Sequence, residues 1–197
     1  MRVEASPSTS SKPIGVLNIP NALSVARLFF GVATLWLIEV RWYIPALVLF
    51  LIAAITDALD GYVARLLKQE TAFGRQLDPL IDKLLIAAVL IFLVAIPGSG
   101  VAAWMASVIV VRELVIQWLR SMMEGKGVAF GAKMAGKLKT VFQCAAIVAA
   151  LVALALGADP ATWVLVSRDL LIWVAVLLTI YSGVEYLAVA APRLRDM

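Results

Sequence analysis

Four aspartates, Asp57, Asp60, Asp78 and Asp82, fall within one 26-residue segment of a 197-residue chain that has only 13 acidic residues in all. Histidine is absent and Cys144 is the lone cysteine. Those two facts exclude Ser-His-Asp and Cys-His catalysis, His-ligated zinc or haem, and an intrachain disulfide. Chemistry must come from carboxylates, Lys, Arg, hydroxyls or a metal held by oxygen. On a helix turning about 100° per residue, Asp57, Asp60, Gly61 and Ala64 share one face, and Gly74, Asp78 and Asp82 advance by about 40° per step along another. Four carboxylates converging on one space repel one another unless positive charge lies among them. One arrangement pairs them with Arg65, Arg75 and Lys83. The other holds divalent cations, and an oxygen-only ligand set favours Mg²⁺, Mn²⁺ or Ca²⁺ over Zn²⁺. Two such ions sharing carboxylates form a clamp for displacement at phosphorus. Convergence of four aspartates on two faces favours the metals. Gly61 and Ala64 would let a bulky ligand approach the helix backbone.

A second set of residues is basic. Arg112 and Glu113 lie midway along an apolar run, Arg120 follows eight residues on, and Lys126, Lys133, Lys137 and Lys139 come next. For Arg120, Lys126 and Lys133, anchoring at anionic headgroups is an equal alternative to a site. Arg112 needs an anionic partner; its neighbour Glu113 is one candidate, although adjacent residues on a helix point about 100° apart. A phosphate on a second substrate would satisfy Arg112, Arg120, Lys137 and Lys139 together. The run Gly131-x4-Gly136-Lys137 begins like a P-loop, but Leu138 stands where a Ser or Thr would hold magnesium, and no strand precedes it.

The elements carrying these residues are membrane helices. Hydrophobic residues make up 63% of the chain and charged ones 15%, against about 45–50% and 25% in soluble domains. Six hydrophobic stretches stand at 22–38, 43–58, 77–96, 101–119, 141–156 and 163–189. With their polar ends each supplies enough helix for a hydrocarbon core of about 30 Å. Long runs without strand alternation select helices. The fold class expected is an all-α integral membrane protein with six transmembrane helices. Placing the N-terminus inside puts all but Arg41 and Arg168 of the 17 Lys and Arg on the cytoplasmic half. Residues 1–16 read as a polar cytoplasmic tail without signal-peptide character, 17–190 as the catalytic domain and 191–197 as a second cytoplasmic tail. Cys144 reads as a packing residue, and Trp42, Trp104 and Trp163 as anchors near the external ends. A divalent-cation transporter is a distant alternative, but it would place acidic groups at mid-membrane on several helices rather than at one inner edge.

Written out, Asp57-x2-Asp60-Gly61-x2-Ala64-Arg65-x8-Gly74-x3-Asp78-x3-Asp82 resembles the complete signature of the CDP-alcohol phosphatidyltransferases, with all eight fixed positions matched. That resemblance implies a six-helix homodimer with a cytoplasmic-facing active site, two divalent cations (Mg²⁺ or Mn²⁺) and a CDP-linked lipid donor. Carried over by position, Asp57, Asp60, Asp78 and Asp82 would be metal ligands, and Asp82 would also be the general base. Asp60, Gly61, Ala64, Arg65, Gly74 and Asp78 would contact the CDP-lipid. Three further motifs are Asn18-Ile19-Pro20-Asn21-x2-Ser24-x2-Arg27, Arg112-Glu113-x6-Arg120 and Gly136-Lys137-x-Lys139-Thr140-x2-Gln143. They resemble the branch that joins CDP-diacylglycerol to sn-glycerol 3-phosphate and releases CMP in bacterial inner membranes. Arg112, Arg120, Lys137 and Lys139 would then hold the acceptor phosphate, with Asn21, Arg27, Lys133 and Thr140 in a second tier. Inositol phosphate or serine remains the alternative acceptor.

Overall fold

The computed structural model describes the backbone over residues 19–67, 72–125 and 134–195, and side chains over 26–56, 83–123 and 136–192. Six helices follow one another: α1 (Ile19–Glu39), α2 (Tyr43–Leu67), α3 (Ala72–Val94), α4 (Ala103–Gly125), α5 (Met134–Ala155) and α6 (Thr162–Arg195). No strand occurs among the described residues. Short connections at 40–42, 95–102 and 156–161 join consecutive helices at one end of the bundle, called here the turn end. The other end carries the aspartate segment and is called the signature end.

At the turn end the helices stop where the apolar stretches stop, as at 39 against 38 in α1 and 155 against 156 in α5. At the signature end every helix overruns its stretch, from 58 on to Leu67 in α2 and from 141 back to Met134 in α5. Helical hydrogen bonds form within the segment and do not depend on hydropathy, so the coil continues after apolar side chains give way to polar ones. Asp60, Gly61, Ala64, Arg65 and Gly74 lie in such overruns, while Asp57, Asp78 and Asp82 lie in the adjoining turns of the stretches themselves.

Local chemistry explains the turns. Arg41 N–H donates to Ile38 O (3.0 Å) and Trp42 N–H to Leu37 O (2.8 Å). That bond pair ends α1 in a Schellman cap with Arg41 at φ 62°, a position that glycine occupies more cheaply. In the 95–102 connection Gly98 and Gly100 take φ 86° and 78°. Arg168 Nη1 reaches back from α6 to donate to Gly98 O at 2.6 Å, and Asp169 Oδ1 accepts from Arg168 Nε at 2.8 Å.

α1 packs on α2 and α3, α5 on α2, α3 and α6, and α4 on α3 and α6. The main core gathers Ile38, Phe50, Val89, Leu93, Ile147 and Leu151 with neighbours from all six helices. A smaller core of Ile116, Leu119, Met123, Tyr186 and Ala190 joins α4 to α6 toward the signature end. Cys144 packs partly buried against the main core, as expected for a small apolar residue.

The exterior inverts the soluble pattern. Phe29, Trp36, Val111, Leu114, Trp118, Leu170 and Val184 are all exposed, Trp118 at 65%, whereas Arg112 and Glu113 turn inward on α4 with side chains 10% and 7% exposed. An outward apolar surface over an inward charged face is the arrangement of a helix surrounded by lipid. Among the described residues, Gly136–Ala155 and Thr162–Pro192 are long and apolar enough to cross a membrane, with shorter apolar stretches at Tyr43–Thr56 and Lys83–Val94. Trp42, Trp104 and Trp163 are exposed at the turn end, where amphipathic rings suit a membrane–water interface.

Candidate active site

The eight signature residues fall on two consecutive helices. Asp57, Asp60, Gly61, Ala64 and Arg65 lie on the last turns of α2, and Gly74, Asp78 and Asp82 on the first half of α3, with 68–71 between. Both segments are helical throughout, so the one-face register expected for each set holds along the backbone. The side chains of these eight residues lie outside the described ones, as do all of Lys133 and the side chain of Asn21. The donor set itself fits a metal: four carboxylates, in a chain without histidine whose one cysteine, Cys144, packs against the main core, suit hard divalent cations.

Beside α3 stands a buried polar cluster built from α4, α5 and α6. Glu113, 5% exposed, accepts at Oε1 from Arg112 Nη1 (3.2 Å) and from Lys139 Nζ, which is itself 5% exposed. Arg112 Nη2 donates to Ser182 Oγ on α6 at 3.0 Å, and its guanidinium carbon stands 5.8 Å from the centre of the Tyr186 ring. Gly183 makes room for it, since a Cβ there would lie 3.1 Å from Arg112 Cγ. One layer further in, Gln143 Nε2 donates to Thr179 Oγ1 at 2.9 Å, and both side chains are fully buried. Lys83, one residue after Asp82, donates to Gln117 Oε1 on α4 and so ties the aspartate helix to this cluster.

Of the partners open to Arg112, its neighbour Glu113 is the one it meets, despite their angular separation. A separation of about 100° between adjacent Cβ atoms is spanned because the guanidinium sits at the end of a long flexible stem. The acceptor set is brought together only in part. Arg112 and Lys139 share one carboxylate oxygen, Arg120 is half-buried on α4, and Lys137 is exposed. Residues 137 and 139 stand about 200° apart on α5, so one faces in and the other out. In the second tier, Arg27 is buried on α1 at 3% exposure. Thr140 is exposed and donates back to Gly136 O at 3.3 Å.

Ser182, Thr179 and the central role of Glu113 were not expected from the sequence. The signal that marks Ser182 and Thr179 is their spacing of three within the apolar run of α6, which puts two hydroxyls on one face.

The description CDP-alcohol phosphatidyltransferase matches residues 17–181. The chain belongs to the CDP-alcohol phosphatidyltransferase family. Among similar curated members of that family, a CDP-diacylglycerol–glycerol-3-phosphate 3-phosphatidyltransferase of Bacillus subtilis (strain 168) is 43% identical over 147 residues, 73% of this chain and 72% of the relative. Relatives of the same name from Pseudomonas fluorescens and Escherichia coli (strain K12) are 37% and 35% identical over 91% of this chain, covering 93% and 98% of their own lengths. The phosphatidyltransferase match spans α1 to most of α6 and so includes the signature helices and, of the buried cluster, Arg112, Glu113, Lys139, Gln143 and Thr179.

Proposed function

We propose that this chain is a phosphatidylglycerophosphate synthase of phospholipid biosynthesis, which transfers the phosphatidyl group of CDP-diacylglycerol to sn-glycerol 3-phosphate and releases CMP. The observation that carries the reading is the complete eight-residue signature on α2 and α3, together with relatives named CDP-diacylglycerol–glycerol-3-phosphate 3-phosphatidyltransferase that match over nine-tenths of the chain. The finer reading is a homodimer of multi-pass subunits in a bacterial inner membrane. All six helices span the bilayer, residues 1–16 and 191–197 are cytoplasmic tails, 17–190 is the catalytic unit, and the signature end faces the cytoplasm. The inward charges of α4, the outward apolar side chains and the Lys/Arg asymmetry support it.

Asp57, Asp60, Asp78 and Asp82 would hold two divalent cations, Mg²⁺ or Mn²⁺. When bound, these cations supply positive charge for the donor diphosphate and for the charge that builds on CMP. Gly61, Ala64 and Gly74 leave the backbone open to the CDP moiety, and Arg65 pairs with its diphosphate, beside Asp60 and Asp78. Arg112, Arg120, Lys137 and Lys139 receive the acceptor phosphate, supported by Asn21, Arg27, Lys133 and Thr140. Asp82 takes the proton of the acceptor hydroxyl. The hydroxyl oxygen bonds to the phosphorus that bears diacylglycerol, and the bond from that phosphorus to the CMP oxygen breaks with its electron pair going to CMP. The signature supplies no Ser, Cys or His nucleophile, so the displacement is direct.

The test is an acceptor panel with purified protein in detergent. CMP should be released from CDP-diacylglycerol only when a divalent cation and glycerol 3-phosphate are both present. Release with inositol phosphate or serine in its place would reassign the acceptor, and release in the presence of excess chelator would refute the metal site.

A further inference from the structure

Glu113 is the one acidic group that Arg112 and Lys139 share among the described residues, and none of the three is on a loop. α4 contributes Arg112 and Glu113, α5 contributes Lys139, and α6 contributes Ser182, so three helices meet at one carboxylate. Two cations held this close at membrane depth repel each other, and each is costly without a counter-ion. Oε1 takes both bonds, while Oε2 is buried with no hydrogen-bond partner among the described residues. A carboxylate placed only to neutralise Arg112 would not need Lys139 at the same oxygen. One placed to hold two cations at a set separation would.

We infer that Glu113 is a positioning residue for the acceptor subsite: it holds the Arg112 guanidinium and the Lys139 ammonium side by side as a preformed receptor for the phosphate of the phospho-alcohol. The inference rests on the reading that these two cations bind that phosphate. Ser182 holds the far side of the guanidinium, and Gly183 lets α6 close on the Arg112 stem, so the cation is fixed from both directions. Such preorganisation lets the two cations meet a phosphate without reorganising first. Glu113 touches no reacting atom in this account and acts through Arg112 and Lys139.

Glu113→Gln removes the charge and keeps an acceptor oxygen of nearly the same reach. In full-length protein in detergent, it should raise the KM for glycerol 3-phosphate about tenfold to a hundredfold, the scale of a lost charge-assisted hydrogen bond. The KM for CDP-diacylglycerol should stay within about twofold, since the signature helices are untouched. Inorganic phosphate, used as a competitor of the acceptor, should inhibit the variant correspondingly less well. Glu113→Asp, which restores the charge, should recover part of the loss. An unchanged acceptor KM, or a fall in kcat with both KM values unmoved, would assign Glu113 to helix packing and overturn the inference.

Lys139→Met and Arg112→Met separate this failure from that of the underlying reading. If neither raises the acceptor KM, the phosphate binds elsewhere and both ideas fall. If both raise it and Glu113→Gln does not, only the role of Glu113 falls. Should Glu113→Gln not survive extraction, Ser182→Ala carries the same prediction on a smaller scale: it frees one side of Arg112 and should raise the acceptor KM severalfold, and no rise would count against preorganisation.

Discussion

The two ends of this bundle use arginine in different ways. At the turn end Arg168 binds a loop carbonyl and its own neighbour Asp169, which is half exposed, so the charge is satisfied locally and closes a connection. At the signature end Arg112 is satisfied by Glu113 and Ser182, with Lys139 drawn to the same carboxylate from a third helix. The first arrangement stabilises a turn. The second arranges unlike and like charges at a buried site between helices, where a plain apolar contact would cost less. The difference teaches that charge shared between helices, rather than charge as such, distinguishes the signature end from the turn end.

Three substitutions test that contrast, in descending order of effect. Asp82→Asn at the signature end should lower kcat by about 10²–10⁴ and leave binding of the CDP-lipid and the melting temperature largely unchanged; turnover within about tenfold of the parent would place the base elsewhere. Gly100→Ala at the turn end should do the reverse. Its new Cβ would stand 2.5 Å from Arg168 Nε at a φ of +78°, so the cost is about 1–3 kcal/mol of stability. A thermal melt in detergent would show it, and the KM for each substrate should not move. A change in acceptor KM there would break the separation of the two ends. Arg41→Gly is the smallest: relieving the left-handed cap should raise stability by about 0.5–1 kcal/mol, with kinetics unaltered.

Much of this was legible from residue types and spacing. The helical class followed from apolar runs of spanning length, because backbone groups in lipid must bond within their own segment. The turn ends were legible to within two residues, since there the change in hydropathy and the end of the helix coincide. The signature ends were less so, as the apolar stretch stops at 58 while α2 runs on to Leu67. The signature could be read in full, because its meaning lies in a periodicity that a helix imposes. For the basic cluster, spacing did not decide which side chains turn inward. α5 turns Lys137 and Lys139 to opposite sides, and Arg112 meets Glu113, the neighbour that the spacing left as one candidate.

The sequence by itself determined the oxygen-and-cation chemistry, the helical class, the family and the register of the aspartates, since each depends on composition or on local periodicity along one helix. Only the tertiary structure decided which cations turn inward and what they meet. That choice depends on which faces of α4, α5 and α6 pack together, and on side chains such as Glu113 and Ser182, 69 residues apart in the chain, meeting around one guanidinium.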